Sequence, residues 1–195
     1  MMEFLVAMLT AAFVENAVFS RALVGESIWK RQQRPMQAAV FLGMVTLLTT
    51  VLSTAMWGIR TLPTPTAMRA LWEPLAALML LWLCYLILYH LAARWMPEAA
   101  FARILSVMPK AAFSAVSLGT LLLVASRSFS LAESVGFGLG AGAGFALAVL
   151  LISWGERQLR MTDLPAPFRG LPARLIYVGL LALAFHGLIG HPVVL

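Results

Sequence analysis

Six apolar stretches of roughly bilayer-spanning length dominate this sequence: residues 3–25, 36–58, 71–93, 104–126, 132–154 and 173–190. A transmembrane helix needs about 20 mostly apolar residues, because lipid offers its backbone no hydrogen-bond partners. Helix-breaking residues separate the stretches. Pro35 precedes the second, "TLPTPT" at 61–66 divides the second from the third, and Pro97 follows the third. The fifth ends before "GERQLRMTDLPAPFRGLPAR", the longest polar connection. Composition agrees: 62% of residues are hydrophobic and 11% charged, against roughly 45–50% and about 25% in soluble domains. That is too little charge to cover a water-facing surface. The expected fold is an all-α membrane protein of six transmembrane helices, one polytopic domain over 1–195. The first stretch, "MMEFLVAMLTAAFV", lacks the basic leader and cleavage site of a signal peptide and reads as a retained helix.

Positive charges orient the helices. Lys30, Arg31, Arg34, Arg94, Arg103, Arg157, Arg160, Arg169 and Arg174 fall in the loops after segments one, three and five. Only Arg60, Arg69 and Arg127 occupy the opposite side. Nine against three places both termini outside and the longest loop in the cytoplasm. Because the arginines are dispersed between apolar segments, the net charge of +6 reads as topology and not as a nucleic-acid surface.

The chain also repeats itself. "AVFSRALVG" at 17–25 and "AAFSAVSLG" at 111–119 lie 94 residues apart, near half the length. Three helices per half make the second half enter the membrane from the other side. The expectation is an inverted-topology repeat with halves of about 1–97 and 98–195, and such repeats commonly hold a site where interrupted helices meet.

Intramembrane charges cost about 2.5–3.5 kcal/mol at a helix centre on insertion scales, so they mark partners or cavities. Glu15, Arg21, Glu26 and Lys110 are the charged candidates, and Asn16, Ser20, Ser114 and Ser117 the polar ones. Glu15 and Lys110 are expected to pair across the repeat interface. Arg21 and Glu26 also fit snorkelling at a helix end, and the hydroxyls also fit bonds to their own helix. In "GFGLGAGAG", Gly136, Gly140 and Gly144 share one helix face and Gly138 and Gly142 another, which points to close helix contact and not to a nucleotide loop.

No Ser/His/Asp, Cys/His or paired-carboxylate arrangement points to a catalytic residue. His90, His186 and His191 have no metal-ligand spacing, and the single cysteine, Cys84, excludes a multi-cysteine site within the chain. Trp29, Trp57, Trp72, Trp95 and Trp154 fall near helix ends, as an aromatic belt does.

Four stretches in order bring a family into view: "VENAVFSRALV", "FSLAESVGFGLGAGAGFALAVLL", "TDLPAPFRGLP" and "LALAFHGLIG". Together they resemble, nearly end to end, the RnfA/NqrE-type membrane subunits of the RNF electron-transport complex and the sodium-pumping NADH:quinone reductase. The resemblance implies a bacterial inner-membrane protein that pairs with an opposite-topology sister subunit inside a redox-driven ion translocase. It also implies an iron–sulfur centre held by two cysteines from each sister. Laid on this chain without gaps, the family's cysteine positions fall at Glu26 and Ala115. The expectation is therefore a non-catalytic subunit that binds no cofactor or metal alone and works through lipid and membrane partners. The alternatives are a stand-alone inverted-repeat transporter, with Glu15 and Lys110 lining its path, and a purely structural membrane partner.

Overall fold

The structure is a computed structural model that describes residues 1–20, 35–62, 66–163 and 165–189. Its helices are α1 (Met2–Leu9, continued by a π-turn over Thr10–Val14), α2 (Pro35–Arg60), α3 (Thr66–Trp95), α4 (Glu98–Leu105), α5 (Met108–Ala112), α6 (Ala115–Ser126), α7 (Leu131–Met161) and α8 (Leu171–Ile189). No strand occurs among the described residues. Four spans, within α2, α3, α5–α6 and α7, are long and apolar enough to cross a membrane, and Met2–Val14 and Leu171–Gly187 are shorter apolar helices. The chain is a multi-pass membrane protein.

Two of the expected uninterrupted helices are interrupted. Segment one leaves the helix after Val14, and segment four is divided into α5 and α6 at Phe113–Ser114. Arg21 and Glu26, with the rest of 21–34, lie outside the described residues, as does His191.

Packing centres on α7. At 31 residues it runs about 46 Å at 1.5 Å per residue, more than the hydrocarbon core requires. Gly136, Gly140 and Gly144 lie against the backbone of Phe4, Met8 and Ala12, so α1 runs parallel to α7 in matching four-residue steps. On another face, Gly138 meets Thr49, Thr50 and Ser53, while Gly142 meets Thr46, so α2 runs antiparallel. Each glycine leaves space that a side chain would fill. A Cβ at Gly144 would sit 2.6 Å from the Ala12 carbonyl oxygen, and one at Gly138 would sit 2.7 Å from that of Thr49.

Lipid tails are as apolar as leucine, so this close backbone approach and the bonds it permits replace the hydrophobic drive of water. Thr49 Oγ1 donates to the Gly138 carbonyl (2.9 Å) and Ser53 Oγ to the Ser134 carbonyl (2.7 Å). The remaining contacts pair off. α1 packs on α7, and α5–α6 pack on α2; α3 borders α6, and α8 borders the π-turn of α1. Leu48, Leu52 and Met56 of α2 bury with Val116 and Leu121 of α6 and with Phe137 and Ile152 of α7. Met79 and Trp82 of α3 and Leu180 and Leu183 of α8 remain exposed, as a lipid-facing surface requires.

Gly140→Ala should destabilise the fold by about 1–3 kcal/mol, the usual cost of overpacking, because the new methyl overlaps the Met8 carbonyl oxygen. Gly43→Ala, where nothing lies within 4 Å, should be neutral or slightly stabilising. Thermal unfolding in detergent distinguishes them. Equal melting of the two variants would refute the glycine contact.

Candidate functional site: two interrupted helices

The first interruption is built by a π-turn and an asparagine. Glu15 N–H reaches back five residues to the Thr10 carbonyl (2.8 Å), and Glu15 leaves the helical conformation at φ −104°, ψ 36°. Asn16, fully buried, then uses its amide on both sides of the break. Its Oδ1 accepts from the N–H groups of Val18 (3.0 Å) and Phe19 (3.3 Å), capping the turn beyond the break. Its Nδ2 donates to Ala12 (2.8 Å) and across to the Gly144 carbonyl of α7 (3.0 Å). Ser20 Oγ spans the gap by donating to the Val14 carbonyl (2.8 Å).

The second interruption repeats this construction. Ser114, extended at φ −75°, ψ 148°, caps α6 by accepting from Ser117 N–H (3.2 Å). Ser117 Oγ, fully buried, spans the gap to the Ala111 carbonyl (2.9 Å) and lies 3.0 Å from Ser114 Oγ. Asn16 and Ser114 thus have one role, 98 residues apart, and each is followed by Ala-Val. The structural register differs from the sequence spacing of 94 by about one helical turn. A slip of one turn returns the same residues to the same helix face, so apolar periodicity alone does not detect it.

The charged candidates separate. Glu15 is not joined to Lys110: it forms an ion pair with Arg127, at the end of α6, with 13% of its side chain exposed against 37% of the arginine's. Arg127 also lies over the Phe129 ring, 5.7 Å from its centroid. Lys110 is exposed on α5. Nothing in the sequence singles out Arg127, because it sits in a loop, where an arginine is an ordinary topology signal. Its guanidinium reaches Glu15 as Lys110 does not. A second buried acid, Glu156 on α7, pairs with Arg174 on α8, beside a charged cleft of about 400 Å³ lined also by Asp163 and Arg169. Glu156 sits near the end of a span, where α8 packs on α7 and Tyr177 lies against Gly155.

The donor set does not match an iron–sulfur centre. Such clusters need thiolates, whereas Ala115 has no ligating atom and Cys84 is buried in α3, in the packed core. Among the described residues, no three His, Cys, Asp or Glu side chains come together as metal ligands.

Glu15→Gln and Arg127→Gln should each destabilise the fold, and the double variant should lose less than the sum of the two. A coupling of about 0.5–3 kcal/mol is expected for groups in contact. Additive losses in a double-mutant cycle on unfolding in detergent would show that the pair contributes nothing.

No family model matches the sequence. Curated relatives do. Over 73 residues the chain is 40% identical to the A subunit of the ion-translocating oxidoreductase complex of Syntrophotalea carbinolica, covering 37% of this chain and 38% of that protein. Over 78 residues it is 37% identical to the E subunit of the Na(+)-translocating NADH-quinone reductase of a Psychrobacter species, covering 40% and 39%. These matches span about two-fifths of the relatives' length. A longer one, to the A subunit of the ion-translocating oxidoreductase complex of Serratia proteamaculans, runs over 198 residues at 27% identity and covers 97% of this chain and 98% of the relative. By sequence, the chain is similar to the RnfA/NqrE-type membrane subunits, and in the longest of these matches the similarity runs over nearly its whole length.

Proposed function

We propose that the chain is an integral membrane subunit of an RNF/NQR-like electron-transport and ion-translocating complex, and that it carries no iron–sulfur centre of its own. The observation that carries this reading is the alignment that covers 97% of the chain and 98% of a subunit of such a complex. On this reading the chain keeps the family's membrane scaffold, while the thiolates are not kept. The polar groups that would line a path serve instead as caps and helix-to-helix ties, through Asn16, Ser114 and Ser117.

The same reading makes the fold a six-helix inverted repeat. Its support is the like construction of the two breaks and the exchange-symmetric packing, in which α1 lies on α7 as α5–α6 lie on α2. The bias of nine positive residues against three supports outside termini in the bacterial cytoplasmic membrane. An opposite-topology sister subunit is the natural partner for the lipid-facing surface, since half of a paired assembly leaves its partner face apolar.

The test is affinity purification from the native membrane, with mass-spectrometric identification of the proteins that accompany the chain and iron and acid-labile sulfide analysis of the isolated chain. Redox-complex membrane subunits, including a cysteine-bearing sister, should co-purify, and the isolated chain should hold no stoichiometric iron or sulfide. A chain that purifies alone would favour the free-standing transporter. Stoichiometric iron and sulfide on the isolated chain would overturn the second half of the proposal.

A further inference from the structure

The ends of α2 and α6 and the start of α7 border a half-open cavity of about 160 Å³, lined by Trp57, Arg60, Thr61, Arg127, Ser128 and Ser134 among others. No carboxylate is among its lining residues. Arg127 is engaged by Glu15, and Arg60 Nη1 donates to the Val124 carbonyl (3.2 Å) at the end of α6. Arg60 Nε, however, is buried without a hydrogen-bond partner, and so is the Oγ of Ser134, a residue with 0% exposure. Elsewhere along α2 and α7 the buried hydroxyls of Thr49 and Ser53 bond to carbonyls, so an unpaired serine here stands apart and costs free energy unless something binds it.

The surroundings fix the sign of that partner. Two guanidiniums border the cavity and no carboxylate lines it, while the positive end of the α7 dipole is already met by the Glu133 carboxylate. The capping box, in which the Ser130 hydroxyl accepts from Glu133 N–H and the Glu133 carboxylate accepts from Ser130 N–H, fixes that first turn in place. Buried N–H and O–H donors beside arginine are the groups that recognise a tetrahedral oxyanion.

We propose that this cavity binds one phosphate-class oxyanion between Arg60 and Ser134, with Arg127 as the second charge. The chemistry is shared by free inorganic phosphate and by the phosphate of a lipid headgroup. Neither source requires that the chain belong to a redox complex.

The full chain, purified in a maltoside detergent that carries no phosphate, is titrated with inorganic phosphate against chloride at matched ionic strength. A second titration uses short-chain phosphatidylglycerol against an uncharged short-chain diacylglycerol. Thermal unfolding is the readout, and the melting temperature should rise saturably. Saturation by inorganic phosphate identifies a soluble anion as the ligand, and a rise with phosphatidylglycerol alone identifies a headgroup. Arg60→Gln and Ser134→Ala should each raise the half-saturating concentration by about tenfold, the scale of one lost charge-assisted bond. Ser134→Ala removes a hydroxyl that bonds nothing in the fold, so it decides the matter if Arg60→Gln does not fold. No rise with either titrant in the wild type, or the same half-saturation in Ser134→Ala, would overturn the proposal.

Discussion

The structure depends on the contact of α7 with two helices at once through faces that have no side chains. Gly136, Gly140 and Gly144 admit the backbone of α1, and Gly138 and Gly142 admit that of α2. In water such a stripe would waste burial. In lipid it is the means of association, because dispersion between close backbones and interhelical bonds are what remain. The other features depend on it. With α1 held in register, Asn16 comes level with the Gly144 carbonyl. With α2 held antiparallel, Thr49 and Ser53 come level with Gly138 and Ser134.

The interruptions show how a membrane helix can stop without leaving bare polar groups. A break exposes N–H and C=O groups that lipid does not satisfy, so each gap is closed by its own side chains. Asn16 and Ser114 take the freed N–H groups, while Ser20 and Ser117 take freed carbonyls across six residues. A glutamate and an asparagine inside an apolar segment are thereby explained locally. Asn16 ends the helix and caps the next turn, and Glu15, released from the helical ladder, reaches Arg127.

Much of this is legible in the residues, and the limits have physical causes. Span positions follow from hydropathy, and α2, α3, α7 and α8 begin within about five residues of the expected starts. The two glycine faces follow from four-residue spacing, which is the geometry of the helix itself. The breaks are hidden, because Asn and Ser also occur inside membrane helices bonded back to their own turn, and only the backbone conformation distinguishes the two uses. The repeat is visible but displaced by one turn, since "A-x-F-S" matches on the same face in either register. The Glu15 partner is not legible, because ion pairs in a bundle join residues far apart in sequence. Arg127 lies 112 positions away.

On this account α7 crosses the bilayer with its first turn outside and its last turn in the cytoplasm, and every sidedness in the fold follows from that one helix. In a background without cysteine (Cys84→Ala), single cysteines at Ser128 and Thr162 flank it directly. A membrane-impermeant maleimide applied to intact cells should label the Ser128→Cys variant and should reach Thr162→Cys only after lysis. Labelling of both from outside would deny that α7 spans the membrane, and labelling of Thr162→Cys alone would invert the orientation.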